Sequence, residues 1–244
     1  FELLHLVNNF LFIFMYTRHF QTSSRFSRFS RPAGNSRFSG GRGRGRSMTG
    51  GNIHEFIRRA NVKSTQVSPA QVVNEVLFSS LDLPETLKAT IARHGYVNLT
   101  PIQAQGIPAI RAGKDVIGIA NTGTGKTAAF LIPLVENILK DFNYKALIIS
   151  PTRELALQTR DELRKFSGNM PIFSTLCIGQ SSMQMQVSQL RHNPHVVVGT
   201  PGRLKDLINR GVLKLGMFKM IILDETDQML DMGFIHDIKE IISY

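Results

Sequence analysis

The 244 residues carry a net charge of +11 and 42% hydrophobic side chains, enough for one sizeable core. A single cysteine, Cys177, excludes a disulfide framework and a multi-cysteine zinc site, and it implies a reducing, cytoplasmic setting. The charge is uneven: eight arginines and no acid fall between Arg18 and Arg46, leaving a balance of about +3 for everything else. A polyanion, rather than a basic fold, is the expected reason for that segment.

Residues 1–20 open with the apolar run FELLHLVNNFLFIFM. Glu2 precedes the run and the first arginine follows it, the reverse of a signal peptide. His5, Asn8 and Asn9 interrupt it, and it is too short to span a bilayer. No membrane partner is expected, and the segment reads as an artefact or a disordered start.

Residues 21–70 form a tail and linker. Within it QTSSRFSRFSRPAGNSRFSGGRGRGRSMTGG, residues 21–51, repeats Arg-Phe-Ser three times. Such a segment cannot bury enough apolar surface to offset its ordering entropy and is expected to be disordered. Guanidinium groups pairing with phosphates and rings stacking on bases would suit single-stranded nucleic acid.

From residue 70 strand-like and helix-like stretches alternate. VIGIA (116–120), ALIIS (146–150), STLCIG (174–179), HVVVGT (195–200) and KMIILDE (219–225) are short β-rich runs. Between them lie KTAAFLIPLVENILK, RELALQTRDELRKF, MQMQVSQL and GRLKDLIN, with helical length and patterning. This alternation predicts an α/β fold, a parallel sheet covered by helices on both faces, with its site at the carboxyl ends of the strands.

IANTGTGKTAAF lies between a strand and a helix and carries Gly123, Gly125, Lys126 and Thr127. The spacing is that of a P-loop, with Ala120 where the pattern's first glycine stands. Glycines let backbone N–H groups turn inward onto an anion, and the helix N-terminus adds its dipole. Lys126 would reach the outer phosphates, and the Thr127 hydroxyl would ligate Mg²⁺. Asp224 and Glu225, at the end of an apolar strand, supply what is still missing. Asp224 would hold the same Mg²⁺, and Glu225 would orient and deprotonate the attacking water. Lys126, Asp224 and Glu225 are thus the candidate catalytic residues of a nucleoside triphosphate hydrolase.

ANTGTGKT, PTRELALQ (151–158), VGTPGRL (198–204) and DETDQMLDMGF (224–234) resemble, in order and spacing, the first half of a DEAD-box RNA helicase. Phe78 through GYVNLTPIQ, ending at Gln103, resembles that family's adenine-reading Q motif. The resemblance implies a RecA-like ATP-binding domain over residues 105–244, incomplete at its C-terminus, with the Q motif at 76–104 before it. It implies ATP and Mg²⁺ as cofactors and RNA as partner. Gln103 would pair with the adenine edge, Tyr96 would stack on the base, and Phe78 would pack nearby. Ala120, Asn121, Thr122, Gly123, Thr124, Gly125, Lys126 and Thr127 would wrap the phosphates, and Asp227 would close the acidic motif.

Pro151, Thr152, Arg153, Glu154, Gly179, Gln180, Thr200, Pro201, Gly202 and Arg203 correspond to the family's grip on the RNA backbone. Such contacts position without reading sequence, and 2′-hydroxyl contacts would favour RNA over DNA.

Three departures stand out. Thr226 replaces the alanine of Asp-Glu-Ala-Asp, Gln180 replaces the second of two glycines, and Gln228 stands where a charged residue is usual. The family also carries a Ser-Ala-Thr strand and a second RecA-like domain after these motifs. The chain as it stands is therefore expected to bind ATP and RNA weakly, without unwinding. A non-catalytic ATP- and RNA-binding half-domain is the alternative, and a different P-loop enzyme, such as a DNA helicase or nucleotide kinase, a third. Gln103 argues against the third. His94, His192, His195 and His236 do not converge on a zinc pattern, and Cys177 has no basic partner to activate it.

Overall fold

The computed structural model describes residues 11–15, 76–121 and 123–243. The chain divides into two units, and all of these residues fall in the first, Phe1–His19 with Val73–Tyr244. The expectations for the arginine-rich tail and for Thr122 lie outside the described residues.

In chain order the elements are β1 (Leu11–Met15), α1 (Glu85–Arg93), α2 (Pro101–Arg111), β2 (Val116–Ile119), α3 (Lys126–Lys140), β3 (Ala146–Ile149) and α4 (Arg153–Ser167). There follow β4 (Ser174–Cys177), α5 (Met183–Arg191), β5 (Val196–Gly199), α6 (Pro201–Asn209), β6 (Met220–Asp224), α7 (Thr226–Asp231) and α8 (Ile235–Ile242). All strands pair in parallel, in the order β2-β1-β6-β3-β5-β4.

Strands β3 and β5 are buried along their whole length, as strands covered on both faces must be. Their alternation sorts the core into two halves. Ala146, Ile148, Val196, Val198, Met220 and Ile222 pack with Leu87 and Ile91 of α1, Ile107 and Ile110 of α2, Phe130 of α3 and Phe166 of α4. Leu147, Ile149, Cys177, Val197 and Leu223 pack instead with Leu204 and Leu207 of α6, Met229 of α7 and Ile238 of α8. The sequence-based parallel α/β sheet with helices on both faces is therefore the observed one.

The opening segment departs from expectation. Residues 1–20 read from the sequence as an artefact or a disordered start, yet Leu11–Met15 form a strand between β2 and β6. Ile13 stands opposite Ile117 on one side and Leu223 on the other. The strand in this slot is what joins β2, with its P-loop, to the rest of the sheet.

A buried ionic cluster fastens α2 to α3. Glu136, 1% exposed, accepts from Arg111 Nε at 2.8 Å and Nη2 at 2.9 Å, and from Lys140 Nζ at 2.6 Å. Arg111 also donates to the Asp82 carbonyl, which ties in the segment before α1.

Candidate active site

Parallel strands deliver their following loops to one edge of the sheet. That edge gathers the P-loop after β2, Pro151 after β3, Gly179 after β4, Thr200 after β5 and Glu225 after β6. The residues divide between a cleft and a groove.

The cleft, of about 540 Å³, is lined by Gly123, Gly125, Lys126 and Thr127 on one side and Asp224 and Glu225 on the other, with Tyr96 at its rim. Gly123 and Gly125 adopt φ of 80° and 85°, a region costly for any residue with a Cβ. Gly125 caps α3, so the backbone N–H groups of Lys126 and Thr127 open that helix toward the cleft. The Thr124 hydroxyl donates to the Asn121 carbonyl at 2.7 Å and closes the loop. Lys126 Nζ stands 3.7 Å from Glu225 Oε1 across the cleft, so the expected cation and expected base face each other.

Asp224 is buried at the end of β6 and accepts a hydrogen bond from the Thr159 hydroxyl at 3.2 Å. Burial, and next the neighbouring Glu225, push its carboxyl up to about 6. Glu225 takes left-handed backbone angles, φ 54° and ψ 48°, unusual for a residue other than glycine and a form of strain that gathers at functional sites. That turn swings it out of the strand into the cleft. Thr226 is buried and donates to the Leu223 carbonyl at 3.1 Å, so its extra hydroxyl is satisfied where alanine would have none. Asp227 sits in the first turn of α7.

The donor set of Thr127 and Asp224 is all hard oxygen, the chemistry of Mg²⁺ rather than of zinc. A buried carboxylate raised to about 6 has too little positive charge around it, and a divalent cation fits that deficit. Among the described residues no three histidine, cysteine, aspartate or glutamate side chains cluster to hold a metal ion.

Gln103, the expected adenine reader, is buried and makes two internal bonds. Gln103, 1% exposed, accepts from the Thr100 backbone N–H at 2.9 Å and donates from Nε2 to the Gly125 carbonyl at 3.1 Å. With Thr100 it forms a capping box that starts α2, and its amide braces the P-loop from behind. Contact with a base would have to use its second lone pair and second N–H. Tyr96 is half-buried and lines the cleft, with Phe78 edge-on to it at 5.8 Å and Phe166 tilted at 5.3 Å. Phe78 itself is buried in the core beside Tyr96.

The groove, of about 510 Å³, takes in nine of the ten residues expected to meet RNA; Pro201 is buried and does not line it. Met232 and Phe234 complete its wall. Thr152 caps α4 through the Leu155 N–H at 3.2 Å. Arg153 donates to Gln180 Oε1 at 2.5 Å. Arg203 donates from Nη1 to Gln186 Oε1 at 2.9 Å and to the Ser181 carbonyl at 3.2 Å.

Helix α4 touches both places. Arg153 and Glu154 at its start line the groove, while Leu155, Gln158, Thr159, Asp161, Glu162 and Lys165 line the cleft. The sequence reading missed all six of these. A polar face on an amphipathic helix is the one signal they leave, and it does not say what the face meets.

Cys177 is buried and its thiol is pushed up to about 12, chiefly by burial. No helix among the described residues is long and apolar enough to cross a membrane.

This geometry has close counterparts. The chain is 49% identical over 166 residues to an ATP-dependent RNA helicase CshA of Limosilactobacillus reuteri, covering 68% of this chain and 33% of that protein. It is 47% identical over 174 residues to the DEAD-box ATP-dependent RNA helicase CshA of Bacillus subtilis, covering 69% and 34%. The solved structure of a DEAD box protein from Methanococcus jannaschii matches with a TM-score of 0.65 at 40% identity, over 68% of this chain and 46% of that one. The chain thus spans about a third of the length of these curated relatives. The model of the DEAD/DEAH box helicase family matches residues 100–244, more than half the chain and every motif from the capping box of α2 through the acidic pair, so this chain belongs to that family.

Proposed function

We propose that this chain is the nucleotide-binding part of an ATP-dependent RNA helicase, whose whole form binds ATP with Mg²⁺, hydrolyses it and remodels RNA. The observation that carries the proposal is the meeting of Lys126 with Glu225 across the cleft, beside the buried Asp224. The names of the relatives, RNA helicases that use ATP, support the same reading.

Each side chain then has a task. The N–H groups around Gly123 and Gly125 and the start of α3 hold the triphosphate. Lys126 swings from Glu225 to the outer phosphates, which frees Glu225 to orient and deprotonate the attacking water. Tyr96 stacks on the base. Thr127 and Asp224 would hold Mg²⁺, which when bound neutralises charge developing on the transferred phosphoryl group. The groove takes the RNA backbone through Arg153, Gln180 and Arg203, independent of sequence. We further propose a second RecA-like domain in the whole protein, since the relatives are about three times as long, and cytoplasmic work consistent with a lone buried thiol.

Equilibrium binding of a fluorescent ATP analogue to this chain with Mg²⁺, competed by ATP and by GTP, tests the reading. Displacement by ATP that disappears in Lys126→Ala supports it. Equal displacement by GTP would reopen the wider P-loop class. Binding of both ATP and RNA, with no RNA-stimulated turnover even in the whole protein, would favour a non-catalytic module.

A further inference from the structure

The groove that the proposed function assigns to RNA is shaped by a residue outside it. The loop 178–182, between β4 and α5, is pinned at three points. Gln186 Nε2 donates to the Ile178 carbonyl at 2.9 Å, Arg153 holds the Gln180 side chain, and Arg203 Nη1 donates to the Ser181 carbonyl. Gln180 needs such restraint because its backbone lies at φ 58°, outside the range most side chains favour.

Gln186 connects two of these points. It lies in α5, is 3% exposed, and uses both ends of its amide: Nε2 on Ile178 and Oε1 as acceptor for Arg203 Nη1. Its orientation is forced. Reversing the amide would set oxygen against the Ile178 carbonyl and NH₂ against a guanidinium, two repulsive contacts. Glutamine is suited to the place because it donates and accepts at once without a net charge, which burial would penalise.

The consequence falls on Arg203. Both of its hydrogen bonds are made by Nη1, and among the described residues its Nε and Nη2 take no partner. The guanidinium is thus fixed by one corner while its remaining N–H edge is left for the groove that Arg203 lines. A fixed fork meets a phosphate without first losing its own rotamer freedom. We propose that Gln186 is a positioning residue for nucleic-acid binding: it acts through Arg203 and the 178–182 loop, without touching the ligand itself. This rests on the reading of the groove as RNA-facing.

The test uses the full chain, a fluorescein-labelled oligouridylate and a salt series, with Gln186→Met as the variant that keeps volume but loses both polar contacts. RNA affinity is expected to fall about tenfold, with the salt slope reduced by about one as Arg203 loses its fixed place. In an Arg203→Ala background the same change should add little, because two residues acting as one unit are not additive. Affinity for a fluorescent ATP analogue, measured on the same preparation, should stay unchanged. Unaltered RNA affinity, full additivity with Arg203→Ala, or a parallel loss of ATP binding would each overturn the proposal, the last by making Gln186 a general fold residue. Failure of the unsubstituted chain to bind RNA would instead strike the groove's assignment, and is seen before any variant is made.

Discussion

Gln103 and Gly125 are locked together: the Gln103 amide donates to the Gly125 carbonyl at 3.1 Å, and a Cβ built on Gly125 would lie 2.3 Å from Gln103 Nε2. The Q motif therefore shapes the P-loop directly. Gly125→Ala meets both this overlap and a left-handed φ of 85°, the latter alone worth about 1–2 kcal/mol. Affinity for an ATP analogue should fall at least about tenfold by fluorescence titration. Gln103→Ala in the same chain removes the overlap but not the strain, so it should restore only part of the loss. Full restoration would mean that the backbone angle costs nothing here.

Asp224 is buried at a cost to the stability of the free protein. Its carboxyl is raised from 3.8 to about 6, so the folded state binds the proton more tightly than the unfolded state does. The cost is absent below about pH 3.8 and fully present above about pH 6, on the order of 3 kcal/mol. Asp224→Asn should therefore raise the urea midpoint at pH 7 in the absence of Mg²⁺ and nucleotide, and flatten the stability lost between pH 4 and 6. Mg²⁺ with an ATP analogue should stabilise the unsubstituted chain and not the variant. A variant no more stable than its parent at pH 7 would show that Thr159 and Lys126 already offset the burial.

Helices and strands between residues 116 and 225 were legible because apolar runs alternate with turn-forming motifs, and those motifs fall where parallel strands must end; the helices at Glu85–Arg93 and Pro101–Arg111 were not read. Strand β1 was not legible. Its partners on β2 and β6 lie more than a hundred residues away, and nothing local in LFIFM specifies a slot between them. The internal bonds of Gln103 were half legible, since Thr-Pro-Ile-Gln is also a capping-box pattern, an association the reading as an adenine contact left aside. Thr159 could not be foreseen, because its bond to Asp224 depends on how α4 lies across β6. The same holds for Gln186, a glutamine in a glutamine-rich helix until α6 brings Arg203 against it.

Cys177 should be inert in the native state. It is fully buried and its thiol is pushed up to about 12, so almost no thiolate exists at pH 8. Iodoacetamide should leave it unlabelled in buffer and label it in urea, read by intact mass. Rapid labelling without denaturant would mean that the sheet opens at β4.

Glu136 offers a test of the fold from outside both binding places. Its carboxylate, 1% exposed, is shared by Arg111 and Lys140, and Arg111 also holds the Asp82 carbonyl. Glu136→Ala leaves the partly buried guanidinium without its counter-charge, and removing one member of such a pair costs roughly 3 kcal/mol. The urea midpoint should fall accordingly, with the slope unchanged if unfolding stays two-state. Glu136→Gln keeps the shape and one acceptor oxygen, so its loss should be smaller. Because α2 carries Gln103 near its start and α3 begins at Lys126, loosening their contact should also weaken ATP binding in the alanine variant. Equal losses in the two variants would show that the charge alone carries the contact, and that the shape and acceptor oxygen kept by Glu136→Gln contribute nothing.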